Sequence, residues 1–189
     1  MIFLEKIKNL REKYVNDSKI RDSAWLYGSF DKTPPIAKHI VFFPMPEDVM
    51  REMVENYRRS FPEDLLSIYR CMNGADLFWR VRYIGENKRR IPRCDFSIYG
   101  VPLTYDRKHI EPLNICIEDF DRPDEVPVEW LKFGLYYSPD NNVRLDLYVD
   151  TDIGKVYAVM HERVGCEVCR TWTTIDDCLC EIVDLLSEA

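Results

Sequence analysis

Long apolar runs are missing from this 189-residue chain. No stretch approaches the roughly 20 consecutive apolar residues that span a bilayer. The opening MIFLEKIKNLREKY sets charge among its apolar positions and has no continuous h-region. A signal peptide is therefore not expected, and the cytoplasm is the expected compartment. Phosphate-cradling glycine loops, nucleophile elbows, internal repeats and low-complexity tracts are also lacking. Histidine is scarce, and His39, His109 and His161 are far apart in the chain. Positive charge is in deficit, with 26 Lys and Arg against 33 Asp and Glu and a net charge of -7. Direct nucleic-acid binding, which needs a basic face, is not expected. A basic protein partner is compatible with that balance, and so is an ordinary solvated acidic surface. Cysteine is present in an odd number, seven, which does not suit a secreted disulfide framework. Most of these thiols read as reduced, small core residues.

What is present is a core-forming composition, 46% hydrophobic and 13% aromatic, in a length that suits one domain. Residues 1–45 read as a helical and irregular extension, and 46–189 as the core of that domain. Phe3, Ile7, Leu10 and Tyr14 predict a helix from Ile2 to about Val15. The stretch Asp17 to Met45 is irregular, with a short apolar run at Ile40–Phe43. Pro46-Glu47-Asp48 opens a second helix with acids in its first turn. Ser60 and Glu63 fit a capping box ahead of a third helix, whose buried face is Leu65, Leu66, Tyr69 and Met72. Asn73-Gly74 stops it. The period then changes to that of strands: Leu77, Trp79, Val81 and Tyr83; Phe96 and Ile98; Trp130 to Tyr137; Val143, Leu145, Leu147 and Val149; Val156 to Val159. Asp150 to Gly154 is the turn between the last two strands. Thr173-Thr174 caps a closing helix with Asp176 and Asp177 in its first turn. The expected fold class is α+β, a central antiparallel or mixed sheet flanked by helices.

Several residues invite a chemical reading. Cys166 and Cys169 form a CxxC, with His161 upstream and Cys178 and Cys180 downstream, but there is no second clean pair for a tetrahedral zinc site. The pair is expected in a loop, as uncoordinated thiols. Asp146, Asp150 and Asp152 suggest either a carboxylate cluster for a hard cation or an ordinary solvated hairpin, with Asp146 alternating outward. Lys88, Arg89, Arg90 and Arg93, near Arg80 and Arg82, read as a phosphate contact or as a charged hairpin tip guarding a sheet edge. No catalytic residue, metal ligand or cofactor is assigned on these grounds, and the protein is not expected to be an enzyme.

The run Phe61-Pro62-Glu63-Asp64-Leu65-Leu66-Ser67-Ile68-Tyr69, followed by Asn73-Gly74, resembles the signature helix of the SUKH superfamily. Phe96 to Gly100 resembles its next strand, Phe133-Gly134 its Phe-Gly strand, Val143 to Val159 its hairpin and Thr174 to Leu186 its closing helix. The likeness runs in order from Pro46 to Leu186. It departs at Ala75, where members often carry a further Gly, in the long Thr104 to Val128 loop, and in Asp17 to Met45, which has no counterpart. The resemblance implies structural roles for Pro62, Leu65, Tyr69, Asn73, Gly74, Tyr99, Gly100, Phe133 and Gly134. It also implies a non-enzymatic protein-binding module, either an immunity-type protein that neutralises a cognate toxin or an intracellular regulator of cell-wall glucan synthesis. Candidate partner-binding residues are the acidic stretch Glu118, Asp119, Phe120, Asp121, Asp124 and Glu125, which would face a basic toxin domain. The exposed side of the later strands, with Tyr136 and Tyr148, is the other candidate surface.

Overall fold

The computed structural model describes residues 1–15, 25–27, 30–31, 39–57, 59–84, 89–102, 109–110, 115, 125–161 and 165–188. The apolar stripe that begins at Phe3 produces helix α1 (Ile2–Val15) and buries Phe3, Ile7 and Leu10. After it come β1 (Trp25–Tyr27), β2 (Phe30–Asp31), β3 (His39–Val41), α2 (Glu47–Asn56) and α3 (Glu63–Tyr69). The long hairpin β4 (Ala75–Ile84) and β5 (Arg89–Ile98) follows, then β6 (His109–Ile110). A meander of β7 (Trp130–Tyr137), β8 (Arg144–Asp150), β9 (Val156–His161) and β10 (Cys166–Trp172) leads into helix α4 (Ile175–Glu188). The class is α+β. Eight strands make one sheet in the order β1-β3-β4-β5-β7-β8-β9-β10, while β2 and β6 pair separately. Within the large sheet β1 runs parallel to β3, and every other neighbouring pair is antiparallel.

Register decides which residues meet the helices. Ala75, Ile98, Gly134, Leu147 and Ala158 are partners across five strands, and Leu77, Phe96, Tyr136 and Leu145 make the adjoining row. All but Gly134 belong to one buried core with Leu65, Ile68 and Tyr69 of α3 and with Ile175, Leu179, Ile182 and Leu186 of α4. The row Asp76, Ser97, Leu135, Asp146 and Val159 points to the other face of the sheet. That face is covered too, since all five residues are buried. A smaller apolar cluster there joins Val126, Tyr148 and Val159, with Trp130 and Tyr157 packed against it.

Helix α1 is fastened to α4 at its start. The amides of Ile2 and Phe3 donate to the two carboxylate oxygens of Asp176, each at 2.9 Å. This satisfies helix-end donors with a negative charge at the positive end of the dipole. Lys6 then pairs with Asp184 at 2.5 Å.

The junction between α3 and β5 is closely packed. Gly74 ends the helix segment at a φ of +85°, a conformation glycine adopts without Cβ strain. The Asn73 amide nitrogen donates to the Val101 carbonyl at 2.7 Å, and its side-chain oxygen accepts from the Val101 amide at 2.8 Å. A Cβ on Gly100 would lie 2.3 Å from the Asn73 carbonyl oxygen, so only glycine permits this approach. The buried Tyr69 hydroxyl donates to the Tyr99 carbonyl at 3.0 Å, and burial pushes its pKa well up, keeping it a donor. Phe133 accepts from the Tyr99 amide at 2.8 Å. Gly134 lies beside Ser97, whose carbonyl oxygen stands where a Cβ would meet it at 2.6 Å.

Several expectations need correcting. Ser60 and Glu63 form no capping box, because Pro62 is the N-cap residue and no side chain caps α3. A residue that precedes proline is disfavoured in the α region, so Phe61 cannot be the first helical residue that such a box requires. The segment Asp17 to Met45 contains β1, β2 and β3. The CxxC is not in a loop but in β10. Arg89 and Arg90 open β5 rather than forming a hairpin tip. Phe78, which falls between the alternating positions Leu77 and Trp79, is fully buried at a φ of +59°, with its amide donating to His39 Nδ1 at 3.3 Å. The expected α4 cap is present, with Thr174 Oγ1 accepting from the Asp177 amide at 3.1 Å.

Because Asn73 alone satisfies both backbone groups of Val101 at that site, Asn73→Ala is expected to lower unfolding free energy by about 2–3 kcal/mol. Gly100→Ala is expected to cost as much or more. The double variant is expected to lose less than the sum, since both act on one contact. Urea unfolding of the three variants measures this.

Candidate functional site

The densest polar constellation lies on the sheet face turned away from the helices. Asp146 projects from β8 there. Its Oδ2 is 2.5 Å from Lys132 Nζ on β7 and 3.3 Å from His161 Nε2 on β9, and its Oδ1 is 2.9 Å from Arg144 Nε. The Tyr148 hydroxyl lies 3.1 Å from His161 Nε2. Lys132 also sits 5.9 Å from the Tyr99 and Tyr148 ring centres. Asp146 is only 4% exposed, so the outward, water-facing position expected for it is wrong. The sequence carried part of the signal in the alternation of Arg144, Asp146 and Tyr148. Lys132 and His161 reach the same carboxylate from neighbouring strands, and no local spacing reveals that.

Asp150 and Asp152 do not join this group. Asp150 Oδ1 accepts from the Asp152 and Ile153 amides at 3.0 and 3.2 Å, closing the β8–β9 turn. Asp152 is exposed and lies 3.8 Å from Arg59. Among the described residues no three His, Cys, Asp or Glu side chains converge on a point where an ion would sit. Both oxygens of the central carboxylate are taken by cations. What this arrangement does chemically is hold three strands together.

A second polar group surrounds β4 and β5. Asp95, 2% exposed, is held by Arg80 at 2.9 Å and Arg93 at 2.6 Å. The Arg93 guanidinium also covers the Tyr137 ring at 3.8 Å. Two members of the expected basic patch are therefore spent inside the protein, and Lys88 lies outside the described residues. Beside them Ser97 donates to Asp76 Oδ1 at 2.6 Å, and the Cys94 thiol donates to the carbonyls of Leu77 and Phe96. Burial, followed by the charge of Asp76, pushes the Cys94 thiol well up. It stays protonated and serves no nucleophilic chemistry at neutral pH.

Among the described residues the cysteines of the CxxC belong to no group of three metal-ligating side chains. Cys166 Sγ approaches the Glu125 carbonyl at 3.9 Å and Cys169 Sγ the Glu167 carbonyl at 3.7 Å. Cys178 is buried in the core, and burial pushes its thiol up as well.

Of the expected partner-binding residues, Glu118, Asp119, Phe120, Asp121 and Asp124 lie outside the described residues, and Glu125 is exposed. Tyr136 and Tyr148 are 3% and 2% exposed. They cannot present a docking surface, because both faces of their strands are covered. Among the described residues an accessible concavity lies elsewhere, between α2 and α3. It is a groove of about 350 Å³ lined by Met50, Val54 and Leu66, with Glu47, Glu55, Arg51 and Arg70 at its rim. Six exposed carboxylates occupy these two helices: Glu47, Asp48, Glu52, Glu55, Glu63 and Asp64. Arg70 is paired with Glu63 at 2.7 Å. Sequence reasoning passed over this groove because its apolar floor reads as ordinary core periodicity.

Two outcomes test the reading of the buried carboxylates. Burial raises the Asp76 pKa from 3.8 to about 6, with the Ser97 hydrogen bond opposing. The folded value exceeds the unfolded one, so this group's stabilisation is complete below pH ~4 and lost as pH rises through about 6. Relative to Asp76→Asn, the protein is expected to lose roughly 3 kcal/mol of stability across that window, read by urea unfolding on both sides of it. Asp146→Ala leaves Lys132 and Arg144 without their carboxylate and is expected to cost about 3–5 kcal/mol, whereas Lys132→Met with Asp146→Leu removes the buried pair together and costs less. Denaturant midpoints separate the two cases. Compared with protein-family models, with curated proteins and with solved structures, the chain matches none.

Proposed function

We propose that this protein is a non-enzymatic binding module of the SUKH type, an immunity-type protein that neutralises a cognate toxin by covering it. Among the described residues three buried carboxylates are committed to the fold: Asp146 to Lys132, Arg144 and His161, Asp95 to Arg80 and Arg93, and Asp150 to a turn. The observation that carries the reading is the accessible groove between α2 and α3, apolar at its floor and acid-rich around it. Such a surface suits a partner segment that presents an aliphatic or aromatic anchor flanked by Lys or Arg, as a toxin that handles nucleic acid would. The net charge of -7 favours the same encounter at long range.

The test is co-expression with toxin domains encoded beside this gene. Restored growth and a stable complex are expected with one of them. Glu47→Lys with Glu55→Lys is expected to slow association about tenfold at low salt and much less at high salt, with the melting temperature unchanged. Failure to rescue growth or to bind any of those products would falsify the immunity reading.

A further inference from the structure

Strand β10 ends the large sheet. It pairs with β9 on one side, and among the described residues no strand lies on the other. Its residues Glu167 to Thr171 are all exposed, including the apolar Val168 at 45%. An exposed edge strand of this kind can align with a further strand through its backbone. Charge on such an edge decides what can align with it. β10 carries one acid and one base, Glu167 and Arg170, on either side of its bulge.

The bulge in β10 makes that arrangement usable. Glu167 stands opposite Met160 and Arg170 opposite Ala158, with the register shift falling between Val168 and Arg170. Met160 and Ala158 are two residues apart and share a face of β9. Glu167 and Arg170 therefore project on one face despite their odd spacing, as they would not in a regular strand.

We propose that β10 pairs antiparallel with β10 of a second copy, about a two-fold axis between Val168 and Cys169. In that register Glu167 of each copy faces Arg170 of the other, and Cys166 faces Thr171. Arg170 is already engaged with Glu181, and its guanidinium has donors enough to bridge Glu181 of its own chain and Glu167 of the other. The two sheets become continuous. Exposed ion pairs contribute little each, so the dimer is of modest affinity, in the micromolar range.

Sedimentation velocity from low micromolar to several hundred micromolar protein reads this directly. A concentration-dependent monomer–dimer equilibrium is expected. Glu167→Arg sets like charges opposite each other at two places and is expected to weaken the dimer about tenfold or more, with unchanged thermal unfolding. Thr171→Cys supplies a register probe: mild oxidation with diamide, which takes up the two hydrogens of the thiols, is expected to join the new thiol to Cys166 of the second copy. Wild-type protein that stays monomeric throughout, a dimer indifferent to Glu167→Arg, or a cross-link to another cysteine would each overturn the proposal.

Discussion

The contact between Asn73-Gly74 and Gly100-Val101 fixes the relation between the helix layer and the sheet. Two side-chain hydrogen bonds from Asn73 hold the Val101 backbone, and the Gly100 Cα is pressed against the Asn73 carbonyl. Around them the carbonyls of Phe43, Tyr69 and Gly74 accept from Asn73, Met45 and Phe42, so β3, α3, β4 and β5 share one hydrogen-bonded knot. Most of these groups are buried and have no route to water. Leaving any one of them unmade would cost more than making it gains. With the helix axis set here, Leu65, Ile68 and Tyr69 fall onto the Ala75–Ile98 and Leu77–Phe96 rows, and α4 fills the rest of that face.

The sheet is unusual in burying charge on its second face. Asp76, Asp95, Asp146 and Asp150 are each under a tenth exposed. Asp95 and Asp146 are held by cations at both oxygens and Asp150 by two amides at Oδ1, whereas Asp76 has the Ser97 hydroxyl and a raised pKa. Bringing a carboxylate out of water is repaid only where cations and donors surround it. The result specifies register more than it adds stability. Lys132, Asp146 and His161 come from three consecutive strands, and a slip by one residue would turn each of them to the opposite face. The same saturation explains why a cluster of acids, bases and a histidine in one place does not read as a catalytic centre.

What was legible in the sequence was whatever is local. The bounds of α1 follow from Phe3, Ile7 and Leu10, the α4 cap from Thr174, and the β8–β9 turn from Asp150 and Gly154, because period and capping chemistry act within a few residues. The failures are all non-local or depend on a competing constraint. Pro62 overrides the Ser60–Glu63 pattern through its effect on Phe61. The β10 sequence Cys-Glu-Val-Cys-Arg-Thr-Trp has no apolar alternation, because it is an edge strand with a bulge and a largely exposed face. The burial of Asp146 depends on residues 14 positions before it and 15 after it. The candidate groove was equally hidden, since Met50 and Leu66 meet only once α2 and α3 are placed side by side.

Coverage of both sheet faces constrains where this protein can meet another. A one-sided antiparallel sheet offers its open face, which is why Tyr136 and Tyr148 looked available. Here β7 and β8 are buried on both sides, so among the described residues surface for recognition comes from the outward side of the helices or from a strand edge. On the helical side the exposed residues of α2 and α3 are mostly acidic and frame an apolar groove; on the edge, β10 is short, exposed and balanced in charge. The two surfaces differ in the partner they suit. A groove with an apolar floor and more carboxylates than guanidiniums on its two helices suits a basic anchor, while a strand with one acid and one base flanking its bulge suits its own image. Under the two proposals the groove takes a different protein and the edge a second copy of this one, and each proposal stands or falls independently of the other.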